Sequence, residues 1–363
     1  MTIRPRSALL NPELQRPSAL KSIPRNPERI WLDKNENLDA QMMRLSHDLL
    51  CSIPREVLAT YPEAGALYRK LSQWVGVSPE SLLLTPGSDG AIRLAFEAVI
   101  EHGEAVVHTV PTFAMYPVYS QMFGAQVREI HYAQSPNGPL LDPGAIIEAL
   151  RQLQPKLLCL PNPDSPTGTV ATPEVLKEIL AVCEATGTLF LVDEAYHPFH
   201  PDSVVSWTQK SPNLVVARTF AKAWGVAGLR IGYAVAHPQT IALLHKLRPM
   251  YECSTLAIEF MCRMLDHVEE MMQAVGRIDE GKRWFEERMR SFEFKVLPTA
   301  GNFTHIAFGE RAPAVHAALS GKVLYRVAFD HPCLAGYSRF SAAPQPIMAQ
   351  VAAMVEPAAA GVR

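Results

Sequence analysis

The sequence lacks three features that would assign it to a special class of protein: a long apolar run, a strong charge imbalance and a regular cysteine spacing. No run approaches the roughly 20 apolar residues of a membrane-spanning helix, so no membrane span is expected. Lysine and arginine total 34 against 36 aspartate and glutamate, a balance that argues against a nucleic-acid partner. With 48% hydrophobic and 19% charged residues, the composition indicates a globular protein.

The six cysteines indicate neither a metal site nor a disulfide framework. They are scattered, mostly inside apolar runs, without a CxxC pair or the spacing of metal ligands. We therefore expect reduced, buried thiols and no metal. The first 30 residues contain five prolines and two glutamates, so neither a signal peptide nor a transit helix is expected there. Together these absences predict a cytoplasmic protein.

The chain does contain a regular alternation of strand-like and helical stretches. Short apolar runs such as "SLLLTPG", "AVVHTV" and "TLFLVDEA" alternate with helical patterns such as "PEVLKEILAVCEA". Strands separated by helices of this length predict right-handed crossovers. The sequence thus predicts an α/β fold with a mainly parallel sheet covered by helices on both faces.

Changes in this pattern predict three regions. Residues 1–38 indicate an N-terminal arm, because proline is frequent up to residue 29. Residues 39–252 carry the alternation and form the predicted large domain. Beyond them, a long helical tract is followed by a compact alternation of strands and helices. We therefore predict that residues 253–363 supply a linking helix and a smaller α+β domain.

Four polar motifs fall at the carboxyl ends of predicted strands, where parallel sheets bind ligands. They are "TPGSDG" (85–90), "PNPDSPTG" (161–168), "DEAYHPF" (193–199) and "TFAKAWGVAGLR" (219–230). Taken singly, each has an ordinary explanation as a helix-opening turn, a structural buried acid or a solvated lysine. The two histidines of "DEAYHPFH" have no further ligand spacing, so we interpret both as structural.

In this order and spacing, the four motifs together resemble the fold-type-I pyridoxal-phosphate aminotransferases, and most closely the histidinol-phosphate aminotransferase branch. The resemblance runs over nearly the whole chain, from "WLDKNENL" through "YPEAGALYRKL" and "VPTFAMYPVY" to "SRFS" near the C-terminus. It implies pyridoxal 5'-phosphate as the cofactor. It also implies a large domain with a mainly parallel sheet of the seven-stranded type and a smaller C-terminal domain.

The resemblance assigns the chemistry to three residues. Lys222 matches the lysine that forms a Schiff base with the cofactor aldehyde and later moves a proton at the substrate's Cα. Asp193 matches the carboxylate that keeps the pyridine nitrogen protonated, which lets the ring accept electrons. Tyr196 matches the tyrosine whose hydroxyl bonds the ring oxygen of the cofactor.

Further residues follow from the same resemblance. The phosphate of the cofactor and the face of its ring would be held by Ser88, Asp89, Phe113, Thr219 and Arg230.

Three other matches concern the substrate and a second subunit. Tyr61 matches a tyrosine that reaches the cofactor phosphate of the neighbouring subunit, which implies a homodimer with shared sites. Arg339 matches the arginine that binds the carboxylate or phosphate of the substrate. By the same resemblance the stretch from Asn35 to Asn37 would lie close to the site, and we predict Asn37 as a substrate-binding residue.

Four positions depart from the family pattern. Ser165 replaces an asparagine that bonds the ring oxygen, and Ala221 replaces a serine that bonds the phosphate. Phe113 stands where tyrosine is usual, and Gly90 where glutamate is expected. None of the four removes a residue needed to move protons. The departures favour an altered substrate or a cofactor with tuned properties, and argue against a simple role in histidine biosynthesis.

The leading hypothesis is a transaminase of amino-acid biosynthesis, in which an amino acid or amino-phosphate compound gives its amine and a 2-oxo acid receives it in a ping-pong cycle. One alternative is a decarboxylase of the threonine-phosphate type, which shares these motifs. A remote alternative is a non-catalytic ligand-binding member of the fold.

Overall fold

The computed structural model describes residues 4–12, 14 and 24–360. The strands are β1 (Ile30–Leu32), β2 (Leu82–Thr85), β3 (Ala105–Val110), β4 (Gln126–His131), β5 (Ala133–Ser135), β6 (Gly138–Leu140), β7 (Leu157–Pro161), β8 (Leu189–Asp193), β9 (Leu214–Thr219), β10 (Gly232–Ala236), β11 (Lys295–Leu297), β12 (Phe303–Ala307), β13 (Val323–Tyr325) and β14 (Tyr337–Ser341). The α-helices are α1 (Ala40–Cys51), α2 (Gly65–Val75), α3 (Gly87–Val99), α4 (Met115–Phe123), α5 (Pro143–Leu153), α6 (Pro173–Thr186), α7 (Pro238–His245), α8 (Thr255–Met264), α9 (Val268–Ser291), α10 (Ala312–Leu319) and α11 (Gln345–Ala360).

The central sheet has seven strands in the order β2, β10, β9, β8, β7, β3, β4. Neighbouring strands are parallel except at β10, which runs antiparallel to both β2 and β9. Every residue of β7, β8 and β9 is buried, as expected for strands covered on both faces. The predicted α/β class and the mainly parallel sheet are confirmed.

Capping residues define the ends of two helices that pack on the sheet, α5 and α6. The Asp142 carboxylate caps α5 by accepting a hydrogen bond from the Ala145 amide, and Pro143 occupies the first turn, where a missing N–H costs nothing. Thr172 and Pro173 open α6 in the same way, and Gly187 ends it in the left-handed conformation. Two apolar cores, one on each face of the sheet, result from this packing.

A smaller unit follows the central sheet. Strands β11, β12 and β14 form an antiparallel sheet that shares an apolar core with α9, α10 and α11. The N-terminal strand β1 pairs in parallel with β13 and its Leu32 belongs to the same core, so the segment just before residue 38 packs with the C-terminal part of the chain. Part of the predicted arm, residues 1–3, 13 and 15–23, lies outside the described residues. The boundaries at 38 and 252 stay predictions.

Two local expectations need correction. The long helical tract is divided into α8 and α9 by a single 3-10 turn at Leu265–His267. Cys51 is exposed at the end of α1, whereas four of the other cysteines are buried and Cys262 is half-buried. Among the described residues, no helix combines the length and apolarity needed to cross a membrane.

Close backbone packing brings the first motif against the last. A side chain on Gly232 would place its Cβ 2.6 Å from the carbonyl carbon of Gly87 and 2.5 Å from the Arg218 carbonyl oxygen. Gly87 itself has a φ of 76°, which other residues rarely adopt. These two glycines let the turn that opens α3 lie directly beside the start of β10.

Candidate active site

A cavity of about 800 Å³ lies at the carboxyl ends of the parallel strands. Its lining includes ten of the residues predicted from the sequence. They are Ser88, Asp89, Phe113, Ser165, Asp193, Tyr196, Thr219, Lys222, Arg230 and Arg339. The four motifs, which are separated by up to 130 positions in the chain, therefore converge on one site. Two predicted residues, Asn37 and Tyr61, do not line it.

Lys222 lies on the loop between β9 and β10, and its side chain enters the cavity. Its Nζ donates a 2.6 Å hydrogen bond to the backbone oxygen of Lys34. Burial lowers the pKa of Lys222 to about 8, and the nearby positive charges of Arg339 and Arg230 act in the same direction. A substantial share of this amine is therefore neutral near pH 8, as attack on an aldehyde requires.

Asp193 ends β8 and is 5% exposed. Its carboxylate accepts hydrogen bonds from the Ala195 amide at 3.0 Å and from the Tyr116 hydroxyl at 3.4 Å. Burial raises the pKa of Asp193 to about 7. In the described part of the chain no side-chain cation bonds this carboxylate. A cationic group bound in the cavity would supply the missing partner.

The adjacent acid, Glu194, has the opposite environment. Arg218 bonds it through Nε at 3.0 Å and Nη2 at 2.8 Å, and the Val204 amide and Ser203 hydroxyl add two more hydrogen bonds. Both members of the ion pair are buried. The two consecutive acids of "DEAYHPF" thus differ: Glu194 is paired within the protein, and Asp193 faces the cavity.

Tyr196 is buried, lines the cavity and is bonded by Asn35, a residue to which the sequence assigned no specific contact. The Asn35 side-chain amide donates a 2.8 Å hydrogen bond to the Tyr196 hydroxyl. Burial raises the pKa of this tyrosine, while hydrogen bonding by Ser165 and Asn35 opposes that rise. Asn35 is buried with a φ of 56°. The two asparagines of "DKNENL" were the sequence feature that could have identified Asn35 as a site residue. Their spacing, however, does not show which asparagine faces the cavity.

The start of α3 and the loop before β10 form an anion-binding end. Arg230 adopts the left-handed backbone conformation, with φ 51° and ψ 52°, an arrangement that non-glycine residues hold only under external constraint. Its Nη2 lies 3.1 Å from the position that a Cβ on Gly87 would take, so the guanidinium rests against the first turn of α3. Ser88, Asp89 and Thr219 line the same end. Free N–H groups and the helix dipole favour a phosphate here.

Arg339 on β14 also lines the cavity. Its Nη2 donates to the Asp33 carbonyl at 3.0 Å, and the guanidinium lies 5.4 Å from the centre of the Phe303 ring. Its Nε has no partner among the described residues. Arg326, which the sequence did not identify, pairs with Arg339 through backbone hydrogen bonds of 3.0 and 2.8 Å and also lines the cavity. Two arginines at one end favour an anionic ligand.

Asn37 does not line the cavity, and its role as a substrate-binding residue stays a prediction. Its side-chain amide donates to the Ala223 carbonyl at 2.8 Å, and its Oδ1 accepts from the Asp39 amide at 2.8 Å. Gly225 would place a Cβ 3.5 Å from the Asn37 Cβ. Asn37 therefore supports the loop that carries Lys222, and in this structure it has no face toward the cavity.

Tyr61 lies outside the cavity of its own chain. It is 75% exposed and stacks on Tyr251, with ring centroids 4.4 Å apart. Leu58 and Met250, on the same two segments, are 77% and 76% exposed. Such an exposed apolar surface is typical of an interface with another protein chain.

The cavity matches the groups of pyridoxal phosphate that the resemblance implies. The phosphate would be held by the N–H groups of α3 and by Arg230, a protonated ring nitrogen would pair with Asp193, which has no cationic partner among the described residues, and the aldehyde carbon would react with the partly neutral Lys222. For the residues that the structure describes, no group of three or more His, Cys, Asp or Glu side chains could hold a metal ion.

Comparison with known proteins gives consistent results. A family model for aminotransferase class I and II matches residues 27–355. The histidinol-phosphate aminotransferase of Thermoanaerobacter sp. (strain X514) is 30% identical over 305 residues, which are 83% of this chain and 84% of that relative. The structure of histidinol-phosphate aminotransferase from Sinorhizobium meliloti in complex with pyridoxal-5'-phosphate superposes with a TM-score of 0.79 at 22% identity, over 95% of this chain and 97% of that one. L-threonine-O-3-phosphate decarboxylase from Porphyromonas gingivalis has a TM-score of 0.75 at 21% identity, over 90% and 98%.

Proposed function

Because the chain belongs to the aminotransferase class I and II family, we propose that this pyridoxal-phosphate-dependent transaminase moves an amino group from an anionic amino compound to a 2-oxo acid, with Lys222 as the residue that attaches the cofactor. One observation supports this most strongly. A lysine with a lowered pKa and a buried carboxyl without a cationic partner face the same cavity. Transamination needs both groups: the lysine acts as nucleophile and proton carrier, and the carboxylate balances the positive charge of the cofactor ring.

Each residue contributes a defined step. The bound cofactor supplies a ring that accepts the electron pair left at the substrate's α-carbon. Lys222 Nζ would attach the cofactor and, once released, would move a proton at that carbon. Asp193 would hold a proton on the ring nitrogen, and Tyr196 would bond the ring oxygen.

The remaining cavity residues hold the cofactor in place. The phosphate would be bound by Ser88, Asp89, Thr219 and Arg230, and the ring face would be covered by Phe113. Ser165 and Asn35 share the support of Tyr196, which offsets the shorter side chain at position 165.

The substrate would enter with its negative group at Arg339. The unpartnered Nε of Arg339 and the nearby Arg326 suit a carboxylate or a phosphate ester. The proposed donors are therefore amino acids with a second anionic group, such as glutamate, and amino-phosphate compounds of the kind named in the relatives. The departures at Ser165 and Phe113 lie in the cavity wall and favour a substrate that differs from histidinol phosphate.

The test is an amine-exchange assay. The protein loaded with pyridoxal phosphate is mixed with labelled glutamate, with histidinol phosphate and with a panel of amino acids, each with 2-oxoglutarate, and both amine transfer and carbon dioxide release are measured. Amine transfer with ping-pong kinetics is expected. Carbon dioxide release without amine transfer would assign the protein to decarboxylation instead. No reaction with any amine, together with a stable cofactor complex, would favour a ligand-binding role.

A substitution at Arg339 tests whether this residue binds the anionic group of the substrate. In Arg339→Lys the KM of the anionic donor is expected to rise by about tenfold to a hundredfold, while kcat changes less, because an ammonium group cannot make the two-pronged contact of a guanidinium. Arg288→Lys is the matched control, since Arg288 pairs with Glu356 on the surface. Equal KM values in wild type and Arg339→Lys would show that Arg339 does not bind the substrate.

We also place Tyr61 at the site of a partner subunit in a homodimer. In this arrangement the Tyr61 hydroxyl bonds the cofactor phosphate of the partner subunit. Removing that hydroxyl in Tyr61→Phe is expected to lower cofactor affinity by about tenfold. Mixed dimers of Tyr61→Phe and Lys222→Ala chains then decide the arrangement. If Tyr61 serves the partner, the mixed dimer contains one intact site with wild-type cofactor affinity. If Tyr61 serves its own chain, the only working site has the weakened affinity. A cytoplasmic location also stays a prediction.

A further inference from the structure

Residues 33–35 line the cavity, and each contacts a different site residue. The Asp33 carbonyl accepts from Arg339 Nη2 at 3.0 Å, and the Lys34 carbonyl accepts from Lys222 Nζ at 2.6 Å. We call this segment the strap. Together with the contact between Asn35 and Tyr196, these bonds mean that the strap determines where three key side chains point.

The strap needs external support. Asn35 has a φ of 56°, a conformation that costs a non-glycine residue free energy. The Asn35 amide donates to Ser341 Oγ at 2.7 Å, and its carbonyl accepts from the Asn302 side chain at 3.0 Å. These bonds fix the inner side of the strap at residue 35, but they do not hold Asp33.

Arg25 supports the outer side. Its Nη2 lies 2.9 Å from Asp33 Oδ1, and its Nη1 lies 2.6 Å from Glu36 Oε2. The guanidinium also lies 5.0 Å from the centre of the Trp31 ring. The Arg25 side chain is only 21% exposed, and both carboxylates are 28% exposed, so water screens the pairs incompletely. One cation thus bridges the residues on either side of positions 34 and 35.

This bridge depends on the shape of the side chain. A guanidinium presents its donors in a rigid plane and can bond two carboxylates at once, whereas an ammonium group acts as a point charge. With the Asp33 and Glu36 side chains drawn outward to Arg25, the carbonyls of residues 33 and 34 face inward to Arg339 and Lys222.

The charges act on Lys222 as well. Its amine faces Arg339, Glu36, Arg230 and Asp193. The carboxylate of Glu36 opposes the lowering of the Lys222 pKa by burial, and Arg25 neutralises that carboxylate. Loss of Arg25 would therefore leave Glu36 to favour the charged form of the amine.

We propose that Arg25 is a positioning residue of the active site: by bridging Asp33 and Glu36 it fixes the strap so that its carbonyls orient Lys222 and Arg339. The proposal rests on the proposed roles of Lys222 and Arg339. It adds a residue outside the cavity, on the N-terminal segment, to those on which substrate binding depends.

The first test uses the cofactor-free protein, so that it does not depend on catalysis. Hydrogen exchange of backbone amides in residues 30–38 is measured in wild type, Arg25→Ala, Arg25→Lys and Arg29→Ala. Arg29 is the matched control, because its Nε bonds the Gly321 carbonyl and it makes no ion pair with the strap. Faster exchange is expected in Arg25→Ala, a smaller increase in Arg25→Lys, and wild-type exchange in Arg29→Ala.

The second test measures ligand binding by the protein loaded with pyridoxal phosphate. Maleate, a dicarboxylate without an amine, serves as the probe, and calorimetry gives its dissociation constant. Loss of the two charge-assisted bonds is expected to weaken maleate binding by about tenfold in Arg25→Ala. The pH at which the visible absorption band changes should also rise in this variant, whereas a purely structural role would leave that pH unchanged.

The outcomes separate the two proposals. If wild type forms no Lys222-dependent band, the proposed function fails, and hydrogen exchange alone still decides whether Arg25 fixes the strap. If the band forms but Arg25→Ala matches wild type in exchange and in maleate binding, Arg25 has no positioning role. Tighter maleate binding in Arg25→Ala would also overturn the proposal, because the strap would then obstruct the site.

Discussion

Replacing Lys222 with alanine is expected to eliminate the visible absorption band that the protein acquires with pyridoxal phosphate and to slow amine transfer by at least about ten-thousandfold. The size of the effect follows from the loss of two functions, covalent attachment and proton transfer, since proton transfer by a positioned group alone contributes about 10²- to 10⁴-fold. The measurement is the absorption spectrum of the loaded protein, followed by single-turnover rates with the best amino donor.

Two further variants control this experiment. Lys222→Arg keeps the positive charge but cannot become neutral, so it should also fail to form the band. Lys210 is an exposed lysine between β8 and β9, and Lys210→Ala should behave as wild type. A normal band in Lys222→Ala would mean that another amine carries the cofactor.

The pH dependence of cofactor attachment follows from the same residue. Burial lowers the pKa of Lys222 to about 8, so the neutral amine becomes abundant as pH rises through 8. The rate at which the band appears should increase from pH 6 to about 8 and then level off. An ordinary exposed lysine would keep gaining reactivity up to about pH 10.

The second large effect is expected for Asp193→Asn. A carboxylate that balances a buried positive charge is worth about 3–5 kcal/mol, so loss of its charge should slow amine transfer by about 10²- to 10⁴-fold and weaken the cofactor complex. Asparagine has nearly the same shape and can still accept from the Ala195 amide, which bonds Oδ1 at 3.0 Å. Asp193→Glu should recover part of the rate, and Asp202→Asn, whose side chain is 61% exposed, should have no effect.

The stability of the cofactor-free protein should change in the opposite direction. Burial raises the pKa of Asp193 from 3.8 to about 7, so between these values the unfolded chain loses a proton that the folded chain keeps. The free energy of unfolding of wild type therefore falls as pH rises from about 4 to 7 because of this group. Asp193→Asn lacks this decline and should be the more stable protein at pH 7 and above, as measured by denaturant unfolding. A less stable variant at pH 8 would mean that Asp193 finds a cation within the protein.

Local sequence patterns identified most of the helices and strands. Apolar runs such as "LFLV" before Asp193 and helical patterns such as that between Pro173 and Thr186 coincide with β8 and α6. The long tract after Ser254 was the exception, because its helical periodicity continues through the 3-10 turn at Leu265–His267 that separates two helices. Tertiary packing of α8 and α9, which periodicity alone does not report, places this break.

The candidate site was only partly predictable. Lys222, Asp193 and Arg230 follow strands in recognisable motifs, and the convergence of strand ends brings them together. Asn35 and Asn37 could not be distinguished, since both are buried and only the fold turns one toward Tyr196 and the other toward Ala223. Tyr116 lies within the quoted stretch "VPTFAMYPVY", but the sequence did not predict that its hydroxyl bonds Asp193.

The sequence by itself determined the order of the secondary structure, the position of the lysine loop and the residue types available for the chemistry, because these depend on contacts and conformations within a few residues. The tertiary structure alone decided which groups are paired and which are left for a ligand. Arg218 neutralises Glu194 and leaves Asp193 exposed to the cavity, and Arg25 holds residues 33–35 against Lys222, 188 positions away from Lys34. Such pairings depend on burial and distance across the folded chain, and neither quantity is encoded in local periodicity.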